Sequence, residues 1–465
     1  MSNPNLARSM ISPAVRRRVA ILVVSSLISC IYFSSPMWRT STPGHVPDYE
    51  VPRYALGFST VTLTVHAPMR TGTLDDRNLL LGRPTRSSFR DNLRPDSVYI
   101  TSWPVQEFSN QVVAFTNLIY LALITERVAI IPSFAPFHST GPASSNLAFG
   151  EVFDMTRLRN GIGKPLLEWY QVKHPESAVE DVLGCWNTGR AARPPAHLNL
   201  DISYTTAPQW TLIRSDDVEE QHHAAFWSLA ILGFPNVDPE EIEDAGRSPV
   251  QGISLQPDQH LLCFDDLSLV SARNPWEYSQ EMSPAWRFVG QHMHWSSRIQ
   301  YIADSYTRKA LGIVPTDPIP PYIAVYARFD NVSTWCDLPD EECFPPLFAY
   351  ARRVQELKAE FLRTTGIEVE RVIMTSDTRE LGWWDAVRKR GWCGPDHSRT
   401  ARRYGAGYPV LIDAVIQSGA LGFVTADNSM TSVLASRRVS SWQGGVVKRV
   451  SWETKRRQKE KEDEL

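Results

Sequence analysis

The most telling chemistry lies near the end of the chain. Leu421-Gly422-Phe423-Val424 reads as a buried strand that runs into Thr425-Ala426-Asp427-Asn428, after which Ser429-Met430-Thr431-Ser432 opens a helix. Free amides at a helix N-terminus, with hydroxyls beside them, make a place for a phosphate or pyrophosphate. The same residues also suit ordinary capping, in which Asp427 or Ser429 only satisfies those amides. Arg328 stands two residues past the strand Tyr322–Tyr326, at its carboxyl end. A permanently charged, fork-shaped group there suits a phosphate in a crevice, and a surface salt bridge is the plain alternative. Asp377 ends the neighbouring strand and Asp413 lies within the following helix, each able to accept bonds from a base or a sugar.

Missing motifs narrow the chemistry. The chain has no D-x-D triplet, no Walker A loop and no G-x-G-x-x-G, so the metal-dependent sugar-nucleotide signature and the two commonest phosphate loops are absent. His292-x-His294 and His222-His223 lack Cys or Glu at zinc spacing and read as structural or surface histidines. No G-x-S-x-G elbow occurs, which weakens hydrolase readings.

The elements that must position these residues alternate. Val98–Thr101 reads as a strand, Asn110–Glu126 as a helix and Val128–Ile131 as a buried strand stopped by Pro132, a β-α-β unit. From 140 to 280 only short apolar runs such as Leu261–Phe264 stand out, and their topology is not assignable. Trp286, Val289, Met293, Ile299, Ile302 and Tyr306 suggest a long amphipathic helix, or a pair, closing the first half. Pro315, Pro318, Pro320 and Pro321 then form a stiff linker. Beyond it come strand Tyr322–Tyr326, helix Pro346–Thr364, strand Arg371–Thr375, helices Trp383–Arg390 and Tyr408–Ser418, strand Leu421–Val424 and helix Ser429–Arg437. That order implies a parallel sheet covered on both faces, with ligands at the carboxyl ends of its strands.

The chain has 465 residues, about three times the ~150 of a typical domain, which favours two bodies of core plus appendages. Hydrophobic residues make up 43% and charged residues 21%, ordinary globular usage that argues against disorder throughout. Lys and Arg number 48 against 51 Asp and Glu, a net charge of −3. This balance disfavours a nucleic-acid partner, whose affinity would come from neutralised phosphates.

The N-terminus bears on the compartment. After Arg16-Arg17-Arg18 the chain is uncharged until Arg39, about 20 residues, enough for a helix that just crosses a bilayer with its basic end cytoplasmic. A cleaved signal peptide is the rival reading, and either sends the remainder into the secretory pathway. The terminal Glu462-Asp463-Glu464-Leu465 matches the K-D-E-L retrieval signal except at its first position. Asn331-Val332-Ser333 is an N-glycosylation sequon. Of six cysteines, Cys30 lies in the apolar run; the other five are an odd number, so one thiol stays free or pairs between chains. Cys336 with Cys343 is the expected local bridge.

Together these pieces resemble the GDP-fucose protein O-fucosyltransferase family, as a divergent, fungal-type member. Phe108-Ser109-Asn110-Gln111, a helix and Arg127-Val128-Ala129-Ile130-Ile131-Pro132 resemble the family's G-x-F-x-N-Q block. Tyr322-Ile323-Ala324-Val325-Tyr326-Ala327-Arg328 resembles the strand ending in H-x-R. Tyr408 to Asp413, through Gly422-Phe423-Val424 to Ser429-Met430-Thr431-Ser432-Val433-Leu434-Ala435, resembles the C-terminal nucleotide-binding block, and Glu151-Val152-Phe153-Asp154 is a weaker match. Order and spacing agree from residue 98 to residue 445.

The resemblance implies an α/β, GT-B-like fold with two Rossmann-like domains facing a cleft, preceded by the transmembrane helix. It implies a metal-independent, inverting transfer of fucose from GDP-fucose to a hydroxyl of a protein or glycan acceptor, with no cofactor. By position, Asn110 would line the cleft, Arg328 would hold the β-phosphate, Asp413 would meet the guanine, and Ser429 and Thr431 would bind the pyrophosphate. The chain departs from the family at Tyr326, where His is expected, at Asn331, where Asp is expected, and at Glu107, where a glycine or a basic residue is expected. A carboxylate at position 107 would repel phosphates or serve as the base that takes a proton from the acceptor. Those departures also fit a non-catalytic relative that binds a nucleotide sugar or a glycoprotein client. The expected organisation is a cytoplasmic tail (1–18), a signal-anchor (19–38), a stem (39–95), an N-terminal acceptor-side domain (96–314), a linker (315–321), a C-terminal nucleotide-sugar-binding domain (322–447) and a charged tail (448–465), in Golgi or endoplasmic reticulum.

Overall fold

Short runs of β-branched and other apolar residues, such as Val128-Ala129-Ile130-Ile131 and Ile323-Ala324-Val325, suit strands buried on both faces. In the computed structural model they are that. The structure describes residues 78–103, 107–135, 147–190, 192–213, 223–234, 243–275, 277, 283–329, 344–426 and 429–450. The proposed signal-anchor, the sequon at Asn331, Cys336, Cys343 and the charged tail past 450 lie outside them. Among the described residues no helix is long and apolar enough to cross a membrane.

Six strands build the main sheet of the first half: β1 (Tyr99–Ser102), β2 (Val128–Ile131), β3 (Leu166–Glu168), β4 (Asp181–Asn187), β5 (Leu200–Thr206) and β6 (Leu261–Phe264), beside a small two-stranded sheet of Ala224–Ala225 and Val270–Ser271. The six are parallel, in the order β3-β2-β1-β6-β4-β5. The second half holds β7 (Tyr322–Ala327), β8 (Arg371–Ser376), β9 (Gly422–Thr425) and β10 (Val446–Arg449), parallel in the order β8-β7-β9-β10. Parallel strands need crossovers, and the helices supply them. Those used below are α1 (Phe108–Ile124), α2 (Ser297–Leu311), α3 (Leu347–Thr365), α4 (Leu381–Lys389), α5 (Tyr408–Ser418) and α6 (Met430–Gln443). α1 is apolar nearly all round, with Val112, Phe115, Leu118, Ile119 and Leu121 buried, as a helix inside the core must be. α6 ends on Gly444 in the left-handed conformation, and a Cβ on Gly445 would stand 2.2 Å from the Leu421 carbonyl oxygen, so the turn into β10 requires glycine.

Two sequence expectations need correction. Residues 78–95, expected in the stem, pack into the first half. Phe89 and Leu93 are buried against the core that holds Trp103, Trp169 and Leu183. The Phe89 amide donates to Asp181 (3.2 Å), and Asn92 Nδ2 donates to the carbonyls of Gln171 (3.2 Å) and Val172 (2.9 Å). The segment is held by single anchor residues around a 3-10 turn, Phe89–Asn92, and so carries no periodicity. Second, the helix or pair expected to close the first half is a pair, Pro284–Phe288 and α2, and α2 packs against α5 and β8 of the second half. Ile299, Ile302 and Ala303 form the buried face of α2. Among the described cysteines a bridge joins Cys185 on β4 to Cys263 on β6, with Cα atoms 4.6 Å apart, and Cys393 is a free thiol, while the expected Cys336–Cys343 pair lies outside the described residues.

One apolar core runs through both halves, from Ile100 and Phe115 to Leu411, Ile412 and Phe423. All described residues belong to a single compact unit.

Candidate functional site

The local sequence at the start of α1 is poor in helix-capping residues. Glu107 occupies the cap in extended conformation, and its side chain makes no capping hydrogen bond. Ser109 is buried in the first turn, and Asn110 beside it is half-buried. The buried Gln111 turns toward the loop after β2. Its Oε1 accepts from the Ala135 amide (2.9 Å) and its Nε2 donates to the Ala135 carbonyl (3.2 Å), tying the carboxyl end of β2 to α1.

The start of α6 is capped as its serines dictate. Ser429 Oγ accepts from the Ser432 amide (3.3 Å), and Ser432 Oγ lies 3.2 Å from Ser429 Oγ and 2.7 Å from Thr425 Oγ1. This is the capping role weighed in the sequence. Asp427, the other capping candidate, lies outside the described residues.

The two helix starts meet. Ser109 Oγ and Thr431 Oγ1 are 2.9 Å apart, a contact between residues 322 positions apart in the chain. Each helix N-terminus carries roughly half a positive charge. Their convergence at the carboxyl ends of two parallel sheets brings two positive dipole ends together, with the Glu107 carboxylate, the cap of α1, at the same place. Arg328 belongs to the same end of the second sheet. It follows the last residue of β7, which pairs with β9 as Tyr326 with Thr425, four residues before the cap of α6. Asp377 fixes the turn after Arg328 by accepting the Phe329 amide (2.8 Å). Phe329 packs against Phe344 and Trp383, an aromatic wall beside that turn.

Asp413 sits in a separate network. Its Oδ1 is 2.9 Å from His397 Nε2, His397 Nδ1 is 3.1 Å from Thr400 Oγ1, and Tyr306 of α2 meets the same hydroxyl at 2.8 Å. The structure therefore brings Glu107, Asn110, Ser429 and Thr431 to one locus, sets Arg328 at the adjoining strand end, and engages Asp413 with His397. Sequence reasoning missed Ser109, Gln111 and His397 as individual positions. The first two lie inside the quoted Phe108–Gln111 block, whereas His397 follows a Gly-Pro-Asp turn with no periodic signal.

Two further carboxylates end β6. Asp265 accepts from the Thr188 amide (2.9 Å), the Thr188 hydroxyl (2.6 Å) and the Arg190 amide (3.0 Å), organising the loop after β4. Burial pushes the Asp266 carboxyl up to about 6, against the pull of hydrogen bonds from the Ser268 amide and hydroxyl. Among the described residues no group of three or more His, Cys, Asp or Glu is arranged to hold a metal ion.

Fold and site define a two-lobed α/β protein in which two helix N-termini converge where the lobes meet. No family model and no curated protein matches the chain. Among solved structures it is similar to POFUT1 in complex with GDP-fucose, at 14% identity over 77% of this chain and 99% of that one, with a TM-score of 0.48. It is also similar to the fucosyltransferase NodZ from Bradyrhizobium, at 15% identity over 73% and 93%, with a TM-score of 0.40. Neither likeness bears on the fungal-type expectation. With scores below one half, the reading of the site stands on the residues described above.

Proposed function

We propose that the protein is a glycosyltransferase that moves fucose from GDP-fucose to a hydroxyl of a protein or glycan in the secretory pathway, with inversion and without a metal. The observation that carries this reading is the Ser109–Thr431 contact, which joins two helix N-termini at the strand ends where Arg328 also stands. In the reaction the bond from fucose C1 to the β-phosphate oxygen breaks as the acceptor oxygen attacks C1 from the opposite face. Negative charge grows on the leaving GDP. Arg328 and the amides opening α6 are the donors aimed at that charge, each such group worth about 3–4 kcal/mol in systems of this type. Thr431 shares its hydroxyl with Ser109 and exchanges that partner for the pyrophosphate. Glu107, at the mouth of α1, takes the proton released by the acceptor. Asn110 orients the donor, and Asp413, held by His397, receives the guanine. The buried Cys185–Cys263 bridge supports passage through an oxidising compartment, as the proposed N-terminal anchor would require.

The engagement of Ser429 in capping and of Asp413 with His397 favours a second reading, a binding protein for nucleotide sugars or glycoprotein clients that has lost turnover. One assay separates the two. The lumenal part is incubated with GDP-fucose and, in parallel, with UDP-sugars, and released nucleotide is measured. GDP release that falls about 100-fold or more in Arg328→Ala, and in Glu107→Gln when acceptor is present, supports the transferase. Binding of GDP without release supports the second reading, and no binding of any nucleotide sinks the transferase and leaves of the second reading only the client-binding form.

A further inference from the structure

Among the described residues, one cation of the core has no anion. Arg438 is 2% exposed, its Nε has no hydrogen-bond partner, and among the described residues no carboxylate pairs with it. Burial lowers its pKa to about 9, with no acidic group opposing. An isolated buried charge is normally too costly to keep, so its surroundings must solvate it in some other way. They do so with ring faces. The guanidinium carbon lies 4.3 Å from the ring centre of Trp295, 5.4 Å from that of Trp442 and 5.9 Å from that of Phe153. An aromatic cage stabilises a cation through its quadrupoles and brings no countercharge, so the field of the cation survives.

That field has a direction along α6. Arg438 follows Thr431 by seven residues, two turns of helix, so both lie on one face about 10 Å apart. The same face meets the first half throughout: Thr431 touches Ser109, Arg438 touches Phe153 and Trp295, and Trp442 donates to the Gln291 carbonyl (2.8 Å) and stacks on His294. The pKa of His294 is depressed to about 4 by burial first, then by the charges of Arg157, His292 and Arg438, with Asp154 opposing.

We propose that Arg438 is a positioning charge for the anion site: caged by aromatic rings so that no carboxylate cancels it, it adds to the positive end of α6 and strengthens binding of a nucleoside diphosphate there in proportion to the ligand's charge. The inference rests on the nucleotide-binding reading above and assigns that site a residue two turns inside the helix. At an effective dielectric near 20, a unit charge 10 Å away changes the affinity for each unit of anionic charge by about tenfold.

The test compares GDP, GMP and guanosine binding by calorimetry to the wild type, Arg438→Met, Arg438→Gln and Arg438→Lys, each checked for a native-like melt. Glutamine keeps a planar polar group should methionine fail to fold. The expected result is a loss of about 100-fold or more for GDP in the neutral variants, a smaller loss for GMP and none for guanosine, with lysine within about threefold of wild type. Equal losses for GDP and guanosine would mean that Arg438 acts by packing alone, and unchanged GDP affinity in a folded neutral variant would mean that it does not act on the site; either overturns the proposal. A wild type that binds no GDP is a different failure, since it removes the nucleotide reading itself.

Discussion

A hydroxyl pair and a buried carboxyl show how single residues set the behaviour of this protein. Ser109 and Thr431 are the smallest link between its halves, and a neutral hydrogen bond of this kind contributes about 0.5–1.5 kcal/mol. A double-mutant cycle of Ser109→Ala and Thr431→Val, read by urea unfolding, should therefore return a coupling of about 1 kcal/mol. A coupling near zero would mean that the two helix starts are held together by other contacts. Asp266 makes a pH-dependent contribution of opposite sign to the usual carboxylate. In the unfolded chain it releases its proton near 4, whereas in the folded protein burial holds that proton up to about 6. Between these values the folded state keeps the extra proton, so stability is greatest below the unfolded value and declines as pH rises to the folded one. The expected loss is about 2–3 kcal/mol between pH 4 and pH 7. Asp266→Asn should flatten this component, and urea midpoints that fall as steeply in the variant as in the wild type would assign the slope to other groups. Neither residue was legible in the sequence. A serine in a first turn and an aspartate after a strand are common, and what distinguishes these two is a neighbour hundreds of positions away or complete burial.

Among the elements, the second half was legible because its strands and helices alternate with clear apolar runs. β7, α3, β8, α4, α5, β9 and α6 fall within a few residues of the expected positions. The middle of the first half was not legible. β3 has three residues, β4 is followed by a loop rich in Pro and Arg, and β6 inserts between β1 and β4, far from its sequence neighbours. Nothing local encodes that insertion, which is fixed by pairing of Leu261 to Phe264 with Tyr99 to Ser102. The Cys185–Cys263 bridge fastens the inserted strand to β4 across 78 residues of chain. Closing a loop of that size restricts the unfolded state by about 4 kcal/mol in the chain-entropy description. Replacing both cysteines by alanine should therefore lower the stability by about 2–5 kcal/mol. A reductant should shift the melting temperature of the wild type toward that of the variant and leave the variant unmoved. A wild type indifferent to reductant, with its thiols shown to be reduced, would count against the bridge as a stabilising element.

At the scale of the whole molecule, the linker marks a change of sheet without marking a change of folding unit. Residues 312–321 run largely exposed between α2 and β7, with Ile313 and Ile319 packed against the core, and this is where the prolines place a boundary. Yet α2, on the near side of that boundary, buries Ile299, Ile302, Ala303 and Leu311 while packing against α5 on the far side. Trp295 Nε1 donates to Ser418 Oγ (2.8 Å) and Tyr306 meets Thr400, so polar links reinforce the same seam. α6 returns the exchange by presenting Thr431, Arg438 and Trp442 to the first half. Each fully buried aliphatic side chain contributes about 1.5–3 kcal/mol, so the α2 face alone rivals the 5–15 kcal/mol by which a domain is usually stable. Separating the halves would forfeit that contribution on both sides of the seam. A protease site inserted between Pro315 and Pro321 should thus be cut without releasing two bodies. The nicked protein is expected to elute at the size of the intact chain and to melt in a single transition, with tryptophan fluorescence and far-UV circular dichroism coinciding. Two peaks on gel filtration, or two separate melts, would show instead that the lobes are independent domains, and the site where α1 meets α6 would then have to form by their closure.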